Sequence, residues 1–179
     1  MLSRRELVDQ EASGTRHKYL KFWSHEPLTK VGANCLSQWF PSPFIIDGHQ
    51  YLTTEHWLMS EKAKMFGDQA ALERLSVSQH PGQAKAIGRS VEGYDDDRWS
   101  EARGEVAVAG NLAKFDQNPD LRAFLAATGE RVLVEASPTD LVWGIGRAAN
   151  DPGSDHAESW LGENLLGFVL MEVRTRLLE

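Results

Sequence analysis

Several classes of protein are excluded by what this sequence has little of. Cysteine occurs once, at Cys35, in 179 residues, so no intramolecular disulfide can form and no cysteine pair is available for zinc; one thiol also fits a reducing interior. No apolar run approaches the roughly 20 residues of a membrane span. Met1 to Gln10 is charged from Arg4 onward and has no signal-peptide core, so a cytoplasmic protein with no membrane partner is expected. The six histidines, His17, His25, His49, His56, His80 and His156, include no His-x-x-x-His pair, and no metal site is expected. Gly-x-Ser-x-Gly is absent and Cys35 lacks a context that would activate it, so nucleophilic catalysis is unsupported and Cys35 is expected to be buried and inert. Basic residues are outnumbered, 19 Lys and Arg against 26 Asp and Glu for a net charge of -7. Nonspecific attraction to nucleic acid is therefore not expected, and any phosphate must be met by local cations. There is no internal repeat and no low-complexity segment.

At 41% hydrophobic and 25% charged residues, the chain has the composition of a globular protein long enough for one sizeable core. The expected fold class is α+β, a mostly helical single domain over residues 17–179 with a small antiparallel sheet or hairpin. Residues 1–16, polar with a short helical pattern at Leu2, Leu7 and Val8, read as a loosely attached lead-in. Tyr19 to Trp23 reads as a strand, followed by a loop through His25, Pro27 and Gly32. Pro41 and Pro43 bar a central strand or a helix interior. Asp47-Gly48 then suits a two-residue hairpin turn between Phe44-Ile45-Ile46 and His49 to Leu52.

The stretch after the hairpin carries the chemistry. Two threonines precede it and Gly67 closes it, which predicts a helix from about Glu55 to Phe66. At about 100° per residue, Leu58, Met59, Met65 and Phe66 form an apolar stripe, and Glu55 and Lys62 fall inside it. Charges on a core face are costly unless something pairs with them. One reading is a pocket in which Glu55 stays ionised near the positive helix end while Lys62 reaches an anionic ligand; the other is that both side chains snorkel to the rim.

Short helices are expected over Asp68 to Leu75 and Pro81 to Arg89, and a long one over about Arg98 to Phe115 behind Asp95-Asp96-Asp97. One face of the long helix runs Trp99, Ala102, Arg103, Val106, Ala109, Gly110 and Ala113. Its small residues admit a close neighbour, and Trp99 and Arg103 open it. A helix over Asp120 to Ala127, a strand over Arg131 to Glu135 and a final helix over Asn164 to Leu178 complete the pattern. Between them, Asp140-Leu141-Val142-Trp143-Gly144-Ile145-Gly146 sets glycines beside a tryptophan, where backbone can approach a ligand.

Glu55, Asp140 and the indoles of Trp99 and Trp143 are parts suited to splitting a glycosidic bond. A fixed carboxylate stabilises oxocarbenium-like charge or activates water, and an indole face holds a planar base. Each has a plainer alternative: tryptophans commonly pack cores and rims, and an aspartate in Ser-Pro-Thr-Asp can stabilise a turn.

The ordered set Leu36-Ser37-Gln38-Trp39-Phe40-Pro41-Ser42-Pro43-Phe44, Asp47-Gly48, Thr53-Thr54-Glu55-His56-Trp57, Glu61-Lys62-Ala63, Ile87-Gly88-Arg89, Trp99, Leu121-Arg122-Ala123, Asp140-x-x-Trp143-Gly144-Ile145-Gly146 and Gly162-x-Asn164-x-Leu166-Gly167 resembles the NADAR family over about residues 20–178. That resemblance implies a small, mostly helical α+β domain with N-glycosidase activity and no cofactor. Some family members hydrolyse phosphorylated ribosylamino-pyrimidine intermediates of riboflavin synthesis, and others remove ADP-ribose from modified guanine. The implied partner is a ribose-phosphate or ADP-ribose compound, with ADP-ribosylated nucleic acid as a further partner. The rival reading is a module that binds ADP-ribose or NAD without cleaving it.

By position, the resemblance makes Glu55 the family's glutamate and Trp99 and Trp143 its site tryptophans. It places Lys62, Arg89 and Asn164 on the ribose and phosphate, joined by Arg103. The sequence departs from the family pattern at Gln38, where asparagine is common, at Glu61, where glutamine is common, and at Ile145, where some members carry aspartate. The last departure makes Asp140 the second carboxylate.

Overall fold

The computed structural model describes residues 1–26 and 30–179; Pro27 of the expected loop lies outside the described residues. In chain order the elements are α1 (Arg4–Ala12), β1 (Tyr19–Phe22), β2 (Phe44–Ile46), β3 (His49–Tyr51), α2 (Thr54–Phe66), α3 (Gln69–Ser76), α4 (Pro81–Arg89), α5 (Asp96–Gln117), α6 (Pro119–Ala127), β4 (Val132–Glu135) and α7 (Leu165–Leu178). No helix among the described residues is long and apolar enough to cross a membrane. The chain forms two compact units, one of residues 1–37 with 119–179 and the other of residues 38–118.

The first unit is built on β1 and β4, which pair in parallel from Tyr19 with Val132 to Phe22 with Glu135. Its core gathers Leu7, Val132, Val134, Ala136, Ile145, Ala157, Trp160 and Phe168. Leu7 corrects the expectation of a loosely attached lead-in, because it is fully buried, a contribution of about 2 kcal/mol for a leucine side chain. Polar contacts hold the same helix down. Ser3 and Glu6 form a capping box at its start, and the Arg4 guanidinium donates to the carbonyls of Ala157 and Trp160. Cys35 is buried, as expected.

The second unit is a helical cluster carrying the β2–β3 hairpin. The hairpin is antiparallel, with Phe44 opposite Tyr51 and Ile46 opposite His49. Its turn residues Asp47 and Gly48 have φ of 50° and 77°, the positive values that Asp-Gly accommodates. α2 starts where the threonine caps predicted: the Thr53 hydroxyl accepts the His56 N–H, and Gly67 closes the helix in the left-handed region at φ 72°. α3, α4 and α5 all pack on α2. Asp68 caps α3, Pro81 opens α4, and Asp95 caps α5 by accepting the Arg98 N–H.

Two glycines set how closely α2 is approached. A methyl group on Gly88 of α4 would overlap the Met59 side chain, and one on Gly110 of α5 would overlap the Trp57 indole. The indole is fixed from both sides, since its Nε1 donates to the Val106 carbonyl at 2.8 Å and its ring meets Tyr51 edge-on. Gly110→Ala should therefore destabilise the protein by about 1–3 kcal/mol through overpacking, even though alanine favours a helix interior by about 1 kcal/mol. Urea unfolding measures this, and a variant more stable than wild type would mean that Trp57 yields easily.

Candidate active site

Six of the expected site residues, Gln38, Glu55, Lys62, Arg89, Trp99 and Arg103, belong to the second unit, and four, Asp140, Trp143, Gly144 and Asn164, to the first.

In the second unit the predicted stripe of α2 is buried with its charges in it. Glu55 is 5% exposed and Lys62 9%, so neither side chain merely solvates a rim. Glu55 lies in the first turn of α2, where the helix dipole favours an anion. Its N–H, an orphan donor of the helix start, donates to the Gln38 carbonyl at 3.0 Å, and the Thr54 hydroxyl donates to the same oxygen at 3.1 Å. Gln38 is thus tied by its backbone to the Glu55 turn. Its side-chain Oε1 is buried with no hydrogen-bond partner among the described residues.

Lys62 follows Glu55 two turns on, about 10 Å along the axis at 1.5 Å per residue. Among the described residues its ammonium has no hydrogen bond and no ion pair; Nζ sits 3.8 Å from the centre of the Tyr94 ring. Burial pushes its pKa below the ordinary lysine value, and the negative charge of Asp96 partly opposes that shift. Arg103 has a buried Nε without a hydrogen-bond partner among the described residues, and its charge acts on the Tyr94 hydroxyl. Arg89 ends α4 directly after Gly88, the residue packed on Met59 of the stripe. Its side chain is exposed. Trp99, 6% exposed, stands in the first turn of α5.

A cavity of about 690 Å³ in the same unit is lined by His49, Tyr51, His56, Ser60, Lys64 and Ser78 among others, and by none of the expected site residues. His56, Ser60 and Lys64 follow one another at i, i+4 spacing on a face of α2 turned well away from Glu55 and Lys62. His56 is 4% exposed and its Nδ1 is 2.8 Å from the Thr53 hydroxyl. Burial lowers its pKa. This histidine braces the start of α2, a role that only the neighbouring threonine cap hints at in the sequence.

In the first unit, Asp140 is bound to its own backbone. Its Oδ1 accepts the N–H groups of Val142 at 2.9 Å and Trp143 at 2.8 Å, so this oxygen fixes the turn that presents the half-buried Trp143. Gly144 is buried where a methyl would crowd the Glu135 carbonyl, Ser137 and the Asp140 carbonyl. Its glycine character thus serves chain packing, which differs from the expected approach to a ligand. Asn164, expected on the ribose or phosphate, is fully buried. Its Oδ1 accepts the Glu135 N–H and its Nδ2 donates to the Leu133 carbonyl, both at 2.9 Å. It caps α7 from the left-handed region at φ 55° and joins that helix to β4, so its amide is engaged with backbone and the expected contact is corrected to a positioning role. Among the described residues no group of three or more His, Cys, Asp or Glu side chains could hold a metal ion.

Comparison with known proteins places this geometry in a family. N-glycosidase R617 of Acanthamoeba polyphaga mimivirus is 36% identical over a region covering 88% of this chain and 95% of its own. N-glycosidase YbiA of Escherichia coli (strain K12) is 32% identical over 75% of this chain and 76% of its own. The NMR structure of the E. coli protein YbiA superposes with a TM-score of 0.73 at 27% identity, covering 92% of this chain and 87% of that one. The family model described as the NADAR domain matches residues 21–178, and the chain belongs to that family.

Proposed function

We propose that the protein is an N-glycosidase, a hydrolase that cleaves the bond between a base or amine and a phosphate-bearing ribose. The observation that carries this reading is the buried Lys62 ammonium, without a hydrogen bond or ion pair among the described residues, on the same helix stripe as the buried Glu55. Relatives named N-glycosidases support the reaction class.

The chemistry follows from the stripe. As the C1–N bond lengthens, positive charge develops on the sugar's C1 and ring oxygen, and a carboxylate held beneath it lowers the barrier electrostatically. Glu55 supplies that charge, or takes the proton of the water whose oxygen attacks C1; the base leaves with the bond's electron pair and gains a proton. Lys62 and Arg103 neutralise the phosphate on the same sugar, with Arg89 beyond them, and the Trp99 indole offers a face to the base. The Gln38 amide accepts from a ribose hydroxyl or from the water.

Glu55→Gln preserves shape and removes the charge. It should lower kcat by roughly 100-fold or more with circular dichroism unchanged, when base release is followed by chromatography. The two substrates to try are a phosphorylated ribosylamino-pyrimidine and ADP-ribosylated guanine in DNA. Tight binding of both with no release by wild type would leave a binding module and remove the enzyme reading.

Lys62→Met separates ligand binding from folding. Loss of a charge-assisted contact of about 1.5–3 kcal/mol should weaken ribose 5-phosphate binding by roughly 10- to 150-fold in calorimetry. Urea stability should stay level or rise, because an unpaired cation leaves the interior. Equal affinity in the variant would remove Lys62 from the phosphate site.

The same binding should be pH-dependent in a defined direction. An anion needs the protonated ammonium, so affinity is complete below the folded-state pKa of Lys62 and is lost as pH rises through it. Burial outweighs Asp96 and puts that loss below the ordinary lysine value of 10.5. Ribose 5-phosphate titrations in alkaline buffers should show an affinity decline that Lys62→Met lacks.

A further inference from the structure

Lys62 and Asp96 are close enough for the carboxylate to act on the ammonium, yet no ion pair forms between them. Tyr94 explains this. Its ring occupies the ammonium, with Nζ 3.8 Å from the ring centre, and its hydroxyl donates to Asp96 Oδ1 at 2.5 Å. Phe66, the last residue of α2, meets the Tyr94 ring edge-on at 5.5 Å between centroids. Arg98 covers Phe66 in turn, its guanidinium carbon 5.3 Å from the ring centre. The phenol is thus anchored at both ends while 43% of the residue stays exposed.

We propose that Tyr94 is a positioning residue for the anion site, a spacer that holds the Lys62 ammonium on its ring and denies it the Asp96 carboxylate, so that the cation stays available to the substrate's phosphate. The inference rests on the reading of Lys62 given above. A ring face attracts a cation without satisfying its three N–H donors, whereas a carboxylate would satisfy and neutralise it. Remove the ring, and the acid whose charge already acts on Lys62, Asp96, can capture it. Asp95 and Arg103 also act on Tyr94.

Calorimetry with ribose 5-phosphate on the full chain tests this with four variants. Tyr94→Leu should weaken binding by roughly 5- to 30-fold, the scale of a partly desolvated cation–π contact, and in turnover should raise KM with kcat within about twofold of wild type. Tyr94→Phe keeps the ring and should bind within about threefold of wild type. Adding Asp96→Asn to Tyr94→Leu should restore most of the affinity, because the competing carboxylate is gone; a merely structural role for the ring would not be rescued by a change at Asp96. Failure of that rescue, or unchanged binding in Tyr94→Leu, would overturn the spacer. If Lys62→Met, run alongside, binds as wild type does, the phosphate reading itself fails; if Lys62→Met loses affinity and Tyr94→Leu does not, only the spacer is wrong.

Discussion

The burial of two opposite charges on one helix stripe is the constraint to which the second unit answers. Glu55 and Lys62 are both more than nine-tenths buried, where an isolated ion costs several kcal/mol, so the surroundings must compensate at each end. At the amino end the helix dipole favours a carboxylate, and hydrogen bonds from the Glu55 N–H and the Thr54 hydroxyl to the Gln38 carbonyl fix the turn that carries it. At the other end the compensation is incomplete. An aromatic ring and an indirect carboxylate act on Lys62, and its N–H donors meet no acceptor among the described residues. A methionine at that position would pack beside Met59 and Phe66 without this cost. The site is thus less stable than the fold could make it, as binding sites often are.

The first unit answers to a different need, which is satisfying backbone. Asn164 is the clearest case. A residue in the left-handed region pays a conformational cost, offset here by two side-chain hydrogen bonds to β4 and a main-chain bond from its N–H to the Gly144 carbonyl. Gly162 and Gly167 sit against that same junction, where a methyl would strike the Gly144 carbonyl and the Leu133 carbonyl respectively. The glycine-rich spacing around Asn164 therefore reports close packing of strand, turn and helix.

Local rules made much of this legible. The start and end of α2, the Asp47-Gly48 turn and the acidic cap of α5 are each set by residues within a few positions of the feature, and the structure has them as expected. The parallel pairing of β1 with β4 was not legible, because Tyr19 and Val132 lie far apart in the chain and a parallel pair carries no turn signature. Attachment of α1 was hidden for a similar reason: one leucine and one arginine carry it, and their partners are distant in sequence. At the site, helical periodicity found Glu55 and Lys62, but Tyr94 lies in a loop with no period to expose it. Asp140 and Asn164 could be read as functional from their positions in a motif, while only coordinates reveal that their polar atoms are engaged by backbone.

Comparing the two expected carboxylates shows why a motif match cannot assign chemistry by itself. Asp140 Oδ1 takes two backbone N–H groups, which orient the carboxylate toward its own chain. Moving it to meet a substrate would break both bonds and release the turn beneath Trp143. Glu55 stands differently: its backbone N–H secures the helix start on the Gln38 carbonyl, a bond in which the carboxylate takes no part. A group whose side chain can change partners without unfolding its support is the better suited to follow a charge that appears only as a bond breaks. On that ground the proposed reaction is assigned to Glu55, while Asp140 holds the turn of its own unit beneath Trp143.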